Sequence, residues 1–164
     1  MNLLLPLAIF LPMAGAILSY LIGRRSKACR NAFCCALTAA EFALALVLLL
    51  LVAQGRTLTL RVEGFCALGL SLRADGFRAL YTLIAAFMWL MTTLFSPQDF
   101  AHYRNRNRYF LFTLMTLGAT VGVFLSDDLF TTFIFFEVMS LTSYAWVAHD
   151  ERPEAMRAAE TYLF

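Results

Sequence analysis

The chain has 164 residues, 61% of them hydrophobic and 15% charged, with 13 basic side chains against 11 acidic ones. A water-soluble domain carries about 25% charged and about 45–50% apolar residues, so this composition excludes a chain that faces water on all sides. The near balance of charge, with no basic stretch interleaved with aromatics, sets nucleic-acid binding aside.

The apolar residues gather into bilayer-length runs. A spanning helix needs about 20 of them, because the hydrocarbon core is about 30 Å thick and a helix rises about 1.5 Å per residue. The first span is about residues 3–22 and holds Pro6 and Pro12, so a kink is expected where proline frees a carbonyl. The basic cluster Arg24, Arg25, Lys27 and Arg30 follows this run instead of preceding it. A secretory signal has the opposite order, so the run reads as a retained helix with its amino end outside. The second span is about residues 31–52 and contains Glu41.

The loop that follows alternates polar and apolar residues over Thr57–Glu63 and again over Leu68–Arg73, with Gly64 between. Two period-2 runs joined by a short glycine-containing link predict a small β-hairpin, placed on the outer face. The third span is about residues 79–95, ended by Ser96-Pro97; the fourth is about 109–125; the fifth, about 129–148, contains Glu137. A charged stretch, His149–Arg157, comes next, and residues 158–164 turn apolar as the start of a sixth helix. The fold class is therefore an all-α membrane protein with about five transmembrane helices and one small hairpin, in contact with the lipid bilayer.

Loop charges give the orientation, since short cytoplasmic loops collect Lys and Arg. The first loop has four basic residues and no acid, and the third has Arg104, Arg106 and Arg108 against Asp99. The turn Ser126-Asp127-Asp128 has no basic residue. Loops one, three and five are read as inside. The second loop is the exception: Arg56, Arg61, Arg73 and Arg78 accompany Glu63 and Asp75 there.

Four cysteines (Cys29, Cys34, Cys35 and Cys66) form no CxxC pair and have no histidine at metal-ligand spacing, so no metal site is expected. Cys34 and Cys35 read as small packing residues. His102 and His149 lie beside inner-face loops and read as solvated side chains. No Ser–His–Asp set, phosphate-binding glycine loop or haem-type CxxCH is present, so the chain carries no catalytic site of those kinds and no cofactor is expected.

Glu137 is the sharpest polar feature. It lies about nine residues into the fifth span, where an acid costs several kcal/mol unless it faces protein or water. Helical periodicity puts Ser140 and Tyr144 on the same stripe. A carboxyl poised between burial, which favours its neutral form, and a cationic neighbour, which favours its charge, can load and release a proton. The plainer alternative is a protonated Glu137 bonded to a neighbouring helix. Glu41 has Ala39, Ala40, Phe42 and Ala43 around it, and reads first as a packing or subunit-pairing group. Thr113, Thr116 and Thr120 share one face of the fourth span, and Gly118 and Gly122 form a GxxxG pair. Helix packing explains both features; Thr116, Thr120 and Glu41 stand behind Glu137, Ser140 and Tyr144 as members of a proton path.

From Arg108 onward the residues resemble the antiporter-like subunits of respiratory complex I, of Mrp-type sodium/proton antiporters and of energy-converting hydrogenases. The likeness rests on Arg108-Tyr109-Phe110, on Phe124–Leu129, and on the run Phe135-Phe136-Glu137-Val138-Met139-Ser140-Leu141-Thr142-Ser143-Tyr144. Weaker agreement reaches back to Arg73–Phe77 and to Ser96-Pro97, and Glu160 stands where many relatives carry a lysine. The resemblance implies that residues 1–108 form an amino-terminal three-helix segment and that 109–164 open the proton-translocating core, truncated here.

In that family Glu137 matches a helix-five glutamate of the proton path, paired with a lysine on helix seven. No lysine follows Lys27 in this chain. The resemblance implies a parent that moves protons, or exchanges Na⁺ for H⁺, with other membrane subunits as partners in a multi-pass assembly of the bacterial cytoplasmic membrane. The opposing classes are a non-transporting structural membrane subunit and a quinone-reactive membrane subunit.

Overall fold

The computed structural model describes residues 3–64, 69–99, 106–148 and 153–163. Cys66, His102, Arg104 and His149 lie outside the described residues. The elements are helices α1 (Leu4–Arg25) and α2 (Lys27–Ala53), strands β1 (Leu58–Val62) and β2 (Leu70–Ala74), and helices α3 (Gly76–Asp99), α4 (Arg106–Leu125), α5 (Leu129–Val147) and α6 (Pro153–Leu163). Among the described residues five helices, α1 to α5, are long and apolar enough to cross a membrane, so the chain is a multi-pass membrane protein.

Local chemistry sets the boundaries. Ser26 takes an extended conformation, ends α1, and caps α2 by accepting the Cys29 N–H on its hydroxyl at 3.3 Å. At the far end of α2, Gly55 adopts φ +80°, the Gly55 N–H donates to the Val52 carbonyl and the Arg56 N–H to the Leu51 carbonyl. That is a Schellman ending, which needs a residue free to take a left-handed backbone. Pro6 falls in the first turn of α1, where its missing N–H would have had no helical acceptor. Pro12 lies in the helix interior.

Two boundaries differ from the sequence expectation. The third span does not end at residue 95: α3 continues through Ser96-Pro97. Pro97 has no N–H for the Thr93 carbonyl four residues earlier, and the Cys35 thiol of α2 supplies a donor there instead at 3.7 Å. The sixth helix begins at Pro153, inside the stretch expected as a charged loop, because proline suits a first helical turn.

Four helices close into a ring. α1 packs against α2 and α4, α2 also against α3, and α3 also against α4. α5 leans on α4 from outside the ring, and α6 on α5. The antiparallel hairpin pairs Leu60 with Leu72 and sits across one end, touching α1, α3, α4 and α5. Its buried Leu58, Leu72 and Ala74 join Leu5, Ala8, Ile9, Leu48, Leu117, Val121, Leu125 and Phe135 in one apolar cluster. A second cluster at the other end combines Ala16, Cys34, Tyr109, Phe110 and Leu114.

Side-chain bonds cross the ring. The Trp89 indole N–H donates to the Thr113 carbonyl at 2.9 Å, and the Ser96 and Tyr109 hydroxyls lie 3.1 Å apart. The two glycines of the GxxxG pair serve different neighbours: Gly118 lies against Ile9, Pro12 and Met13 of α1, and Gly122 against the Phe135 ring of α5.

Candidate functional site

α5 is the element that positions Glu137, and three sets of contacts fix it. Its first turn is capped by Asp128, whose carboxylate accepts the Thr131 backbone N–H and the Thr131 hydroxyl, each at 2.8 Å. The Thr131 N–H holds the Asp128 carboxyl below the usual carboxylate range. The same Thr131 hydroxyl accepts the Ser71 N–H of β2 at 3.0 Å, and the Asp127 N–H donates to the Ser71 carbonyl at 2.9 Å. Leu72 and Ser126 form a further antiparallel bridge. The hairpin therefore clasps the α4–α5 turn through backbone bonds.

Charges reinforce that clasp. Arg78 reaches Asp127 at 3.2 Å and also pairs with Asp75. The Arg78 backbone N–H, aided by the Arg78 and Arg73 charges, holds the Asp75 carboxyl below its ordinary range. By loop-charge counting alone these arginines are an irregularity. The i,i+3 spacing of Asp75 and Arg78 is the one sequence signal for a pair.

Along its length α5 is seated on α4. Phe135 fills the space left by Gly122, and the Thr116 and Thr142 hydroxyls lie 3.0 Å apart across the interface. Each hydroxyl also reaches a carbonyl of its own helix, Phe112 for Thr116 and Val138 for Thr142. Thr120 is buried and donates to the Thr116 carbonyl at 2.8 Å. These threonines face the α4–α5 seam, and Glu137 does not. Five residues separate Glu137 from Thr142, which is about 140° around a helix of 3.6 residues per turn.

Glu137 is exposed in this chain, on the side of α5 turned away from α4, with no hydrogen bond or ion pair among the described residues. Ser140 and Tyr144, on the same stripe, are half-buried. Phe133, Phe136 and Leu141 are also exposed on α5. The expectation that Glu137 is enclosed is therefore not met by these six helices alone, because α5 packs only its Thr131, Phe135, Thr142 and Ser143 face inward.

The depth of Glu137 follows from its neighbours. Glu137 lies at the middle of α5; Gly122 meets Phe135 and Thr116 meets Thr142, so antiparallel α5 places it level with about residue 120 of α4, some five residues from the end of that helix.

Glu41 is placed oppositely. It is 0% exposed, on the α2 stripe Cys34, Thr38, Glu41, Ala45 and Leu48. The structure thus puts one mid-span carboxyl inside the helix ring and the other on the outer face of α5.

Arg30, expected among the basic residues of the first loop, is instead 1% exposed inside α2. Its guanidinium donates to Asn31 Oδ1 at 3.1 Å and 2.7 Å and to Asn107 of α4, and lies 4.6 Å from the centre of the Phe110 ring. Nothing in local sequence marks Asn107, 77 residues away, as its partner. Among the described residues no group of three His, Cys, Asp or Glu side chains could hold a metal ion.

Comparison with known proteins gives this arrangement its context. No family model matches the chain. It is 30% identical over 164 residues to a Na⁺/H⁺ antiporter subunit of Bacillus subtilis, spanning 99% of this chain and 33% of that protein. It is 31% identical over 167 residues to a probable K⁺/H⁺ antiporter subunit of Rhizobium meliloti, spanning 98% of this chain and 30% of that protein. The chain therefore spans about a third of the length of these relatives. Its fold matches a chain of the membrane-bound sulfane sulfur reductase, an archaeal respiratory membrane complex, with a TM-score of 0.88. That match has 22% sequence identity and covers 99% of this chain and 34% of the other.

Proposed function

This chain belongs to the antiporter-like subunit family, matching the amino-terminal part of its members, and from that premise we propose that it carries the helix-five half of a proton path whose carboxyl is Glu137. The observation that carries the reading is the exposure of Glu137 at mid-span, on a face the six helices leave open. A carboxyl facing hydrocarbon costs several kcal/mol. Ser140 and Tyr144 beside it add two hydroxyls to the same stripe. A face of that kind calls for a polar or cationic partner from a further membrane helix.

Such a partner does two things. It replaces the hydration that the carboxylate loses, and its approach or withdrawal decides whether Glu137 holds a proton. A cation close to Glu137 favours release, and a cation drawn away favours uptake. In the family the partner is a lysine on helix seven, beyond the part this chain spans. The proposed parent moves protons, or exchanges Na⁺ or K⁺ for H⁺, among other membrane subunits in a bacterial cytoplasmic membrane. The amino end then lies outside, with the basic first and third loops inside.

The test is Glu137→Gln in the assembled complex. It keeps size and hydrogen bonding and removes the titratable proton. Proton transfer into sealed vesicles is expected to be lost while the complex assembles at the wild-type level. Undiminished transfer would refute the proton-path role and favour a structural subunit.

A further inference from the structure

The proton path uses the outer face of α5 and leaves Glu41 unexplained. Glu41 is 0% exposed, and neither of its carboxylate oxygens has a hydrogen-bond partner among the described residues. Such groups are rare, because a buried charge without a partner is far costlier than a buried neutral acid.

The charge environment is fixed by the elements around it. α1 has no ionisable side chain before Tyr20, α3 has none between Tyr81 and Asp99, and α4 has none after Tyr109. On α2 itself the nearest ionisable groups are Cys34 and Cys35, about two turns away, and then Arg30, whose guanidinium is already engaged by Asn31, Asn107 and Phe110. Among the described residues no cation stands at the level of Glu41 to support a carboxylate.

The level of Glu41 can be placed on α1. Gly15 of α1 lies against Leu37 of α2, while Leu48 clusters with Leu5, Ala8 and Ile9. The two helices run antiparallel, so four residues beyond Leu37 correspond to about four before Gly15, next to Pro12. Leu37 belongs with one apolar cluster and Leu44 with the other, so Glu41 sits at the waist between them.

Pro12 is the second observation. It is buried in the α1 interior and has no N–H, so the buried Ala8 loses the helical donor to its carbonyl. On the same register Ala8 stands three residues from the level of Glu41, so a main-chain carbonyl that lacks a donor and a carboxyl that lacks a partner lie within about one turn, roughly 4.5 Å along the axis, on one helix pair. Ionised, Glu41 could not help Ala8, since a carboxylate only accepts; protonated, it has one O–H to give.

We infer that Glu41 is a proton-holding site, kept as the neutral acid inside the helix ring, and that once protonated its side chain turns to give its O–H to the Ala8 carbonyl that Pro12 leaves open. The bound proton is structural: it satisfies a carbonyl at mid-membrane and joins α1 to α2. This assignment is independent of Glu137, which stands on another helix and another face.

Infrared difference spectra of the protein in its native membrane assembly test it. Subtracting Glu41→Gln from wild type is expected to reveal one carboxylic-acid C=O band that persists from mildly acidic to alkaline buffer. Gln keeps a side-chain donor, so this variant is expected to fold. Pro12→Ala returns a helical N–H to Ala8 and is expected to shift that band to the position of an acid with a weaker hydrogen bond. Absence of the band, or its conversion to a carboxylate band as pH rises, overturns the holding of the proton. An unshifted band in Pro12→Ala overturns the pairing with Ala8.

Discussion

Gly118 offers the sharpest test of how the ring is assembled. A Cβ built there would stand 2.6 Å from the Ile9 carbonyl oxygen, 2.5 Å from Met13 Cγ and 3.3 Å from Pro12 Cγ. Ordinary van der Waals contact begins at 3.4 Å, so the Ile9 oxygen is 0.8 Å too close. Met13 can swing its flexible side chain aside, but the Ile9 oxygen is main chain within α1. Gly118→Ala must therefore push α1 and α4 apart. Overpacking of this kind costs about 1–3 kcal/mol, against a gain of up to about 1 kcal/mol from replacing a helical glycine by alanine. Because the clashing Ile9 oxygen is main chain, the upper half of that range applies, about 2–3 kcal/mol, and the expected net effect is a loss of about 1–2 kcal/mol, read as earlier denaturant unfolding of the detergent-solubilised protein. Gly76→Ala is the control. Nothing lies within 4 Å of that Cβ, so no steric loss is expected. If Gly118→Ala were as stable as wild type, the close approach of α1 and α4 would be wrong, and with it the seat on which α5 rests.

Arg30→Lys removes the planar fork that serves Asn31 and Asn107 and the stacking on Phe110. It is expected to lose about 1.5–3 kcal/mol, the range for hydrogen bonds to charged groups, in the same unfolding assay. Thr142→Val removes the hydroxyl facing Thr116. Polar contacts between membrane helices average about 0.6 kcal/mol, so a loss well below that of Gly118→Ala is expected, and an equal or larger loss would contradict the packing argument. Asp75 and Asp128 have folded-state acidities held below their unfolded values. Their contribution is present above the unfolded carboxyl range and is lost as pH falls through the folded one. Stability of the hairpin clasp is therefore expected to drop on acidification, and Asp128→Asn to flatten that part of the stability–pH curve.

The membrane class, the spans and the hairpin are legible in the sequence because each follows from a one-dimensional pattern. Runs of about 20 apolar residues have no other use in a chain this poor in charge, and the period-2 segments on either side of Gly64 pair most simply as a hairpin. The motif around Glu137 is legible as a string of residue types. What the string does not contain is direction. Glu41 and Glu137 are both single acids in apolar spans, and local sequence ranks Glu137 first for the proton path and reads Glu41 as a packing or subunit-pairing group. The helix ring buries Glu41 and leaves Glu137 exposed, because the close approaches at Gly15, Gly118 and Gly122 set which stripe of each helix turns inward. Arg30 makes the same point: its spacing in the chain matches a basic loop, and only the arrival of Asn107 and Phe110 from α4 gives it a buried place. Hydropathy and turn chemistry act between residues near in sequence, so the sequence alone determined the elements. The facing of each polar group depends on contacts between residues tens of positions apart, and that was decided by the tertiary structure.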